Sequence, residues 1–158
     1  MILSEIKSCG YVYGKIEHKC GKIEKIKFPN TVLKTGREAL ASSISNTIGD
    51  NFQLYVNRMI FGDGGTVAGV TKVVNASRNG LFGITRSSRP VIAIIDPNIS
   101  TQVIFTSVQP YNDTSNGYEL SEMALQLATG DLFSMVTFPI YTKTSQQQIT
   151  WYWRASWI

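Results

Sequence analysis

The sequence predicts a mainly β chain of the α+β class: an antiparallel β-sandwich with one amphipathic helix near the N-terminus and an N-terminal β-hairpin. Three observations carry this. Stretches 90–95, 102–108, 118–127, 132–138 and 148–157 are β-prone at fairly regular spacing, and no helix-length connection separates them, which points away from a βαβ fold. Near the C-terminus Ile149, Trp151, Trp153, Ala155 and Trp157 alternate with Thr150, Tyr152, Arg154 and Ser156, so one face of the last strand is heavily apolar. Burying that face contributes roughly 6 to 10 kcal/mol gross, at about 1.5 to 3 kcal/mol per large side chain. Only segment 35–48 repeats its apolar residues at a helical period.

Bulk properties set the frame. A chain of 158 residues suits one domain, and 43% apolar with 16% charged residues is the composition of a folding chain. The formal charge of +4 is a mild bias, with much of the lysine in the first 35 residues. Neither a dense basic stripe nor a nucleic-acid reading motif accompanies it, so nucleic acid is an unlikely partner. No run of about 18 apolar residues predicts a membrane span. Glu5 and Lys7 close to the start predict the absence of a signal peptide, hence a protein kept in the cytosol or in something assembled there.

Along the chain, 11–16 and 23–28 flank Lys19-Cys20-Gly21-Lys22, where Gly21 suits a tight turn. The hairpin's outward Lys and Glu residues favour a solvated sheet edge over a binding patch. We divide the sequence into a hairpin arm, 1–30, and a β-sandwich docking domain, 31–158, containing helix 35–48. Thr35 and Glu38 have capping-box spacing, and Leu40, Ile44 and Ile48 form the expected apolar stripe. Segment 52–61 returns to β composition before Gly62-Asp63-Gly64-Gly65-Thr66 breaks it. From there to Gly83 a long loop is expected, with Asn79-Gly80 as a turn signal. Asp96-Pro97-Asn98, 112–117, Thr129-Gly130-Asp131 and 139–145 then separate the remaining strands.

No constellation for catalysis stands out, and we expect neither enzymatic activity nor a cofactor or metal site. His18 and Cys20 share a strand face in principle but lack an orienting third group. Cys9 and Cys20 read as thiols unless a hairpin brings them together. The glycine-rich 62–66 stretch lacks the Lys-Ser/Thr ending of a P-loop and is better read as a close approach of backbones. One carboxylate there, Asp63, does not make a calcium site. Glu119 and Glu122, three apart on a strand, fall on opposite faces and form no glycosidase pair. Arg78, Arg86 and Arg89 around the loop either recognise carboxylates on another subunit or stay solvated. The subunit-interface candidates are therefore Asp63, Gly64, Gly65, Arg78, Asn79, Arg86, Arg89, Tyr152 and Arg154.

Several segments, taken in order, resemble a known family. They are Thr31-Val32-Leu33 with Gly36 and the Ala-rich helix, Phe61-Gly62-Asp63-Gly64-Gly65, and Val73-Val74-Asn75 with Arg78. The series continues with Asn116-Gly117-Tyr118-Glu119-Leu120-Ser121-Glu122-Met123-Ala124-Leu125, Gly130-Asp131-Leu132-Phe133-Ser134-Met135 and Phe138-Pro139. Together they resemble the amino-terminal domain of bacteriophage tail-collar fibre proteins. The resemblance implies a virion structural protein of the neck, collar or tail, assembled in the host cytoplasm. It also implies docking to fibres or other phage structural proteins, as a homo-oligomer, with no catalytic residues. Fibre proteins continue into a repetitive shaft and this sequence does not, so a free-standing docking or ring module is expected. A capsid decoration protein and a carbohydrate-binding β-sandwich module are the alternatives.

Overall fold

The computed structural model describes residues 8–45 and 53–157, so the expected helix residues 46–48 lie outside the described part. Two five-stranded antiparallel sheets face each other, as the sequence predicts for a sandwich. The first runs in the order β2 (Ile23–Pro29), β1 (Ser8–His18), β12 (Gln147–Trp157), β9 (Gln102–Gln109), β8 (Ile92–Ile95). The second runs β3 (Thr31–Val32), β11 (Leu132–Thr142), β10 (Glu119–Leu127), β4 (Val56–Gly62), β7 (Thr85–Pro90). A ribbon of β5 (Thr66–Val67) and β6 (Val70–Thr71) stands apart, and the single helix among the described residues is α1 (Lys34–Ser45).

The N-terminal hairpin forms as expected, its turn closed by Gly21 at φ +90° and by the His18 amide on the Lys22 carbonyl at 2.9 Å. It is no separate arm. β1 pairs with β12 from Ser8↔Trp157 to His18↔Gln147, so residues 8–29 build one flank of the first sheet. Cys9 lies beside Ser156 at one end of β1 and Cys20 in the turn beyond the other, an extended separation that rules out a bridge between them.

The alternating last strand behaves as its pattern demands: Ile149, Trp151, Trp153 and Ala155 are buried between the sheets. Trp151 is the hub. Its ring lies 5.8 Å from Phe61 and 6.4 Å from Phe138 of the opposite sheet. Phe28 in turn stacks on Phe138 at 5.0 Å. A second apolar cluster, Leu33, Ile60, Ala124, Leu132 and Met135, lies with Val74, Leu81 and Phe82 of the long loop packed against it. The loop therefore covers the far side of the second sheet, which is why residues 120–125 of β10 are buried on both faces.

Four local expectations change. The Thr35 hydroxyl donates to the Leu132 carbonyl instead of capping, and Glu38 faces Lys34 at 3.5 Å. The helix meets the sheet through Gly36 and Ala39; Leu40 of the predicted stripe is partly buried against the core, whereas Ile44 is 87% exposed. Gly36 is needed there because an added Cβ would stand 2.3 Å from the Phe133 carbonyl oxygen. β7, just after the expected loop, is not anticipated by the sequence because Thr-Arg-Ser-Ser-Arg-Pro shows no apolar alternation; it pairs with β4 as a polar edge. Pro139, expected in a connection, sits inside β11 where the ladder with β10 shifts register between Leu120 and Glu122, a bulge that tolerates a residue without an amide hydrogen. Within the long loop, Ala68 and Gly69, both at positive φ, turn the β5–β6 ribbon. The bonded turn further on is Asn75 to Arg78, one step before the expected Asn79-Gly80.

Candidate functional site

The glycine loop and the end of the long loop meet over β10. Gly64 and Gly83 stack backbone on backbone, so closely that a Cβ on Gly64 would stand 2.2 Å from the Gly83 nitrogen. Side chains cannot enter such a contact, and the close-approach reading of the motif holds. Glu122, fully buried on β10, closes the junction. Its Oε1 accepts the Gly64 amide at 2.9 Å and the Gly83 amide at 2.8 Å, and Oε2 accepts the Phe82 amide at 2.7 Å. Ser121 beside it accepts the Gly65 amide at 2.8 Å. A buried carboxylate must be matched by donors, and here three backbone amides match it.

Asp63 extends the junction. It accepts the Ile84 amide at 2.9 Å and the Arg86 guanidinium at 2.6 Å. Burial pushes its carboxyl upward, but the Arg86 and Ile84 donors outweigh this and hold it below the usual aspartate range. Because the folded state binds this proton less tightly than the unfolded chain, the stability contributed by the pair is present above the ordinary aspartate pKa and is lost as pH falls through the lowered one. Urea unfolding at a series of pH values should show it. Asp63→Asn is expected to cost about 1 to 2 kcal/mol near neutral pH, the loss of a charge-assisted hydrogen bond, with the gap to wild type closing in acid. A gap independent of pH would contradict the assignment.

Arg78, Arg86 and Arg89 each have partners within their own chain. Arg78 donates to the Gly80 and Leu81 carbonyls, each at 3.1 Å, and lies 3.6 Å over the Phe82 ring. Arg86 also covers Tyr118, at 4.2 Å. Arg89 donates to the Val108 carbonyl at 3.0 Å and lies 3.7 Å from Asp113. Asn79 is exposed beside them. Thus Asp63, Gly64, Gly65, Arg78 and Arg86 belong to one braced loop cluster, whereas Tyr152 and Arg154 lie on the first sheet, facing away from the core.

Two further polar centres escaped the sequence reading. Asp113, buried, accepts from Ser87 at 3.0 Å and from the Ser115 amide at 2.9 Å. Ser115 receives the Gln109 amide group at 3.0 Å, and Gln109 accepts the Trp151 indole N–H at 2.8 Å. Lys143, fully buried, turns its three N–H donors toward four oxygens: Pro110 O at 2.8 Å, Asn116 Oδ1 at 3.0 Å, Thr144 O at 3.0 Å and Gln147 O at 2.6 Å. Burial pushes its ammonium below the usual lysine range, and the Asp113 charge opposes this. Glu122 carried a signal: a carboxylate inside an apolar β-run needs internal donors, and a glycine-rich loop is a ready source of bare amides.

The remaining candidates stay apart. Glu119 is exposed while Glu122 is buried. His18 lies 3.6 Å from Glu24, and Cys20 is an exposed free thiol. Among the described residues no helix is long and apolar enough to cross a membrane. The chain matches no family model, no curated protein and no solved structure.

Proposed function

We propose that this chain is a structural component of a bacteriophage virion, a neck, collar or tail module that docks fibres or adjacent tail subunits and works as a homo-oligomer. The observation that carries the reading is the free edge of the first sheet. On β8, Ile92, Ala93, Ile94 and Ile95 are all exposed, the three isoleucines by 72%, 51% and 67%. β8 itself carries no charged residue. The opposite edge, β2, carries Glu24, Lys25 and Lys27, the usual defence against unwanted strand pairing. An uncharged apolar edge in a chain that otherwise protects itself is suited to a neighbouring subunit.

The long loop supports the same reading. Val67, Val70, Val73 and Ile84 are each more than half exposed on a segment that Glu122 and Asp63 brace from beneath. The buried polar groups of the junction are matched by backbone amides and serine hydroxyls, as befits a stiff building block. The segments that carry the tail-collar resemblance also meet there, since Gly64 and Gly65 are tied to Ser121 and Glu122.

Sedimentation of the purified chain tests the oligomer. Wild type is expected to associate, and Ile92→Lys with Ile94→Lys to give monomers whose stability stays within about 0.5 kcal/mol, as for surface substitutions. A monomeric wild type, or a double variant that still associates, would count against the reading. In purified particles the chain should lie on the tail axis with β8 covered; its presence on the head lattice would favour a decoration protein instead.

A further inference from the structure

The face of the first sheet that points away from the core carries a groove of about 430 Å³, lined by Tyr11, Tyr13, Lys27, Tyr152 and Arg154. That volume falls within the range of small-ligand sites, about 300 to 1,000 Å³. The register builds it. Lys27, Tyr13 and Tyr152 lie side by side across β2, β1 and β12, and Tyr11 opposite Arg154 forms the adjoining row. All five alternate with core residues on their strands, which fixes them outward.

The chemistry of the lining is unusual in what it leaves unmatched. Among the described residues, the three phenol hydroxyls, the Lys27 ammonium and the Arg154 guanidinium have no hydrogen-bond or ion-pair partner. The carboxylate on this face of β1, Glu17, is taken by Lys15 at 2.8 Å. Two cations therefore face the groove with no acid to balance them. Their positions also decide what fits. The Lys27 ammonium lies 3.9 Å over the Tyr11 ring and Arg154 lies 5.7 Å from it, while Tyr13 and Tyr152 face each other at 5.8 Å, tilted by 40°. The Tyr11 face beneath the Lys27 ammonium is thereby closed to a stacking base. The lining offers three phenol hydroxyls and the N–H donors of two cations.

We propose that this groove binds a carboxylated oligosaccharide. Arg154 and Lys27 receive the sugar carboxylate, Arg154 by paired N–H donors, and the tyrosine hydroxyls exchange hydrogen bonds with the sugar hydroxyls. The site is independent of the β8 edge, since neither strand edge contributes to docking and binding at once: β2 supplies Lys27 and β8 supplies nothing to the lining.

The test uses the full chain on a glycan array carrying neutral, uronate-bearing and sialate-bearing oligosaccharides, followed by titration with oligogalacturonate and its methyl ester. Acidic glycans are expected to be retained, and the neutral ester to bind at least about tenfold more weakly. Arg154→Gln and, on the exposed edge strand, Lys27→Gln should each weaken oligogalacturonate binding by about tenfold with the thermal midpoint unchanged. Retention of no acidic glycan, equal binding of acid and ester, or indifference to both substitutions would overturn the proposal. So would tighter binding of a single-stranded oligothymidylate, or of an acidic peptide, than of any acidic glycan.

Discussion

Replacing Glu122 by alanine is expected to lower the stability of the fold by about 3 to 5 kcal/mol, a large part of the 5 to 15 kcal/mol typical of a domain. The substitution leaves the Gly64, Phe82 and Gly83 amides without their acceptor and opens a void under the loop junction. Glutamine is a finer probe. Its carbonyl can still serve Gly64 and Gly83, but its amide group would confront the Phe82 N–H, donor against donor, at a cost of about 1 to 2 kcal/mol. Chemical denaturation gives both values, and hydrogen exchange locates them, with the amides of residues 64, 82 and 83 losing protection first. Glu119→Ala, on the exposed start of the same strand, should stay within about 0.5 kcal/mol of wild type. A Glu122→Ala variant as stable as Glu119→Ala would show that the junction does not depend on the carboxylate.

Trp151→Ala is expected to be comparably severe, at about 5 kcal/mol, a third or more of the 5 to 15 kcal/mol typical of a domain, and to lower the denaturation midpoint accordingly. The indole bridges the two sheets through Phe61 and Phe138. It also anchors the buried chain Gln109, Ser115, Asp113 and Ser87. Phenylalanine separates the two contributions: it restores much of the apolar contact and leaves Gln109 short of a donor, for about 1 to 3 kcal/mol. Adding Gln109→Leu to Trp151→Phe should return part of that loss, because removing both partners is cheaper than orphaning one. If Trp151→Phe behaves as Trp151→Ala does, the indole N–H matters more than the packing.

Much of the strand plan was legible in the residues. Period-two alternation over β12, the Gly21 turn and the β-prone runs that became β9, β10 and β11 are local properties, and local properties survive into the fold. The helix was legible as a helix but not in its docking: its contact rests on Gly36 fitting against the Phe133 carbonyl, a relation between distant residues. β7 was illegible for a related reason, because a polar edge strand is held by backbone pairing to β4, and that leaves little trace in side-chain pattern.

The candidate site divides along the same line. Glycines in the 62–65 motif announced that two backbones come close, since no other residue leaves room for it. Which backbones, and what holds them, depended on Glu122 arriving from 58 residues away: its place in an apolar run signals a need for donors but not which amides supply them. Likewise Tyr11 and Arg154 become neighbours only through the register of β1 on β12, which brings opposite ends of the chain side by side. By itself the sequence determined the long apolar strands, their faces and the Gly21 turn, because those follow from side-chain periodicity and backbone preference within a few residues. Only the tertiary structure decided which polar groups are matched inside the chain and which stay open to a partner, because hydrogen bonding is settled by distances of about 3 Å between groups that the sequence holds far apart.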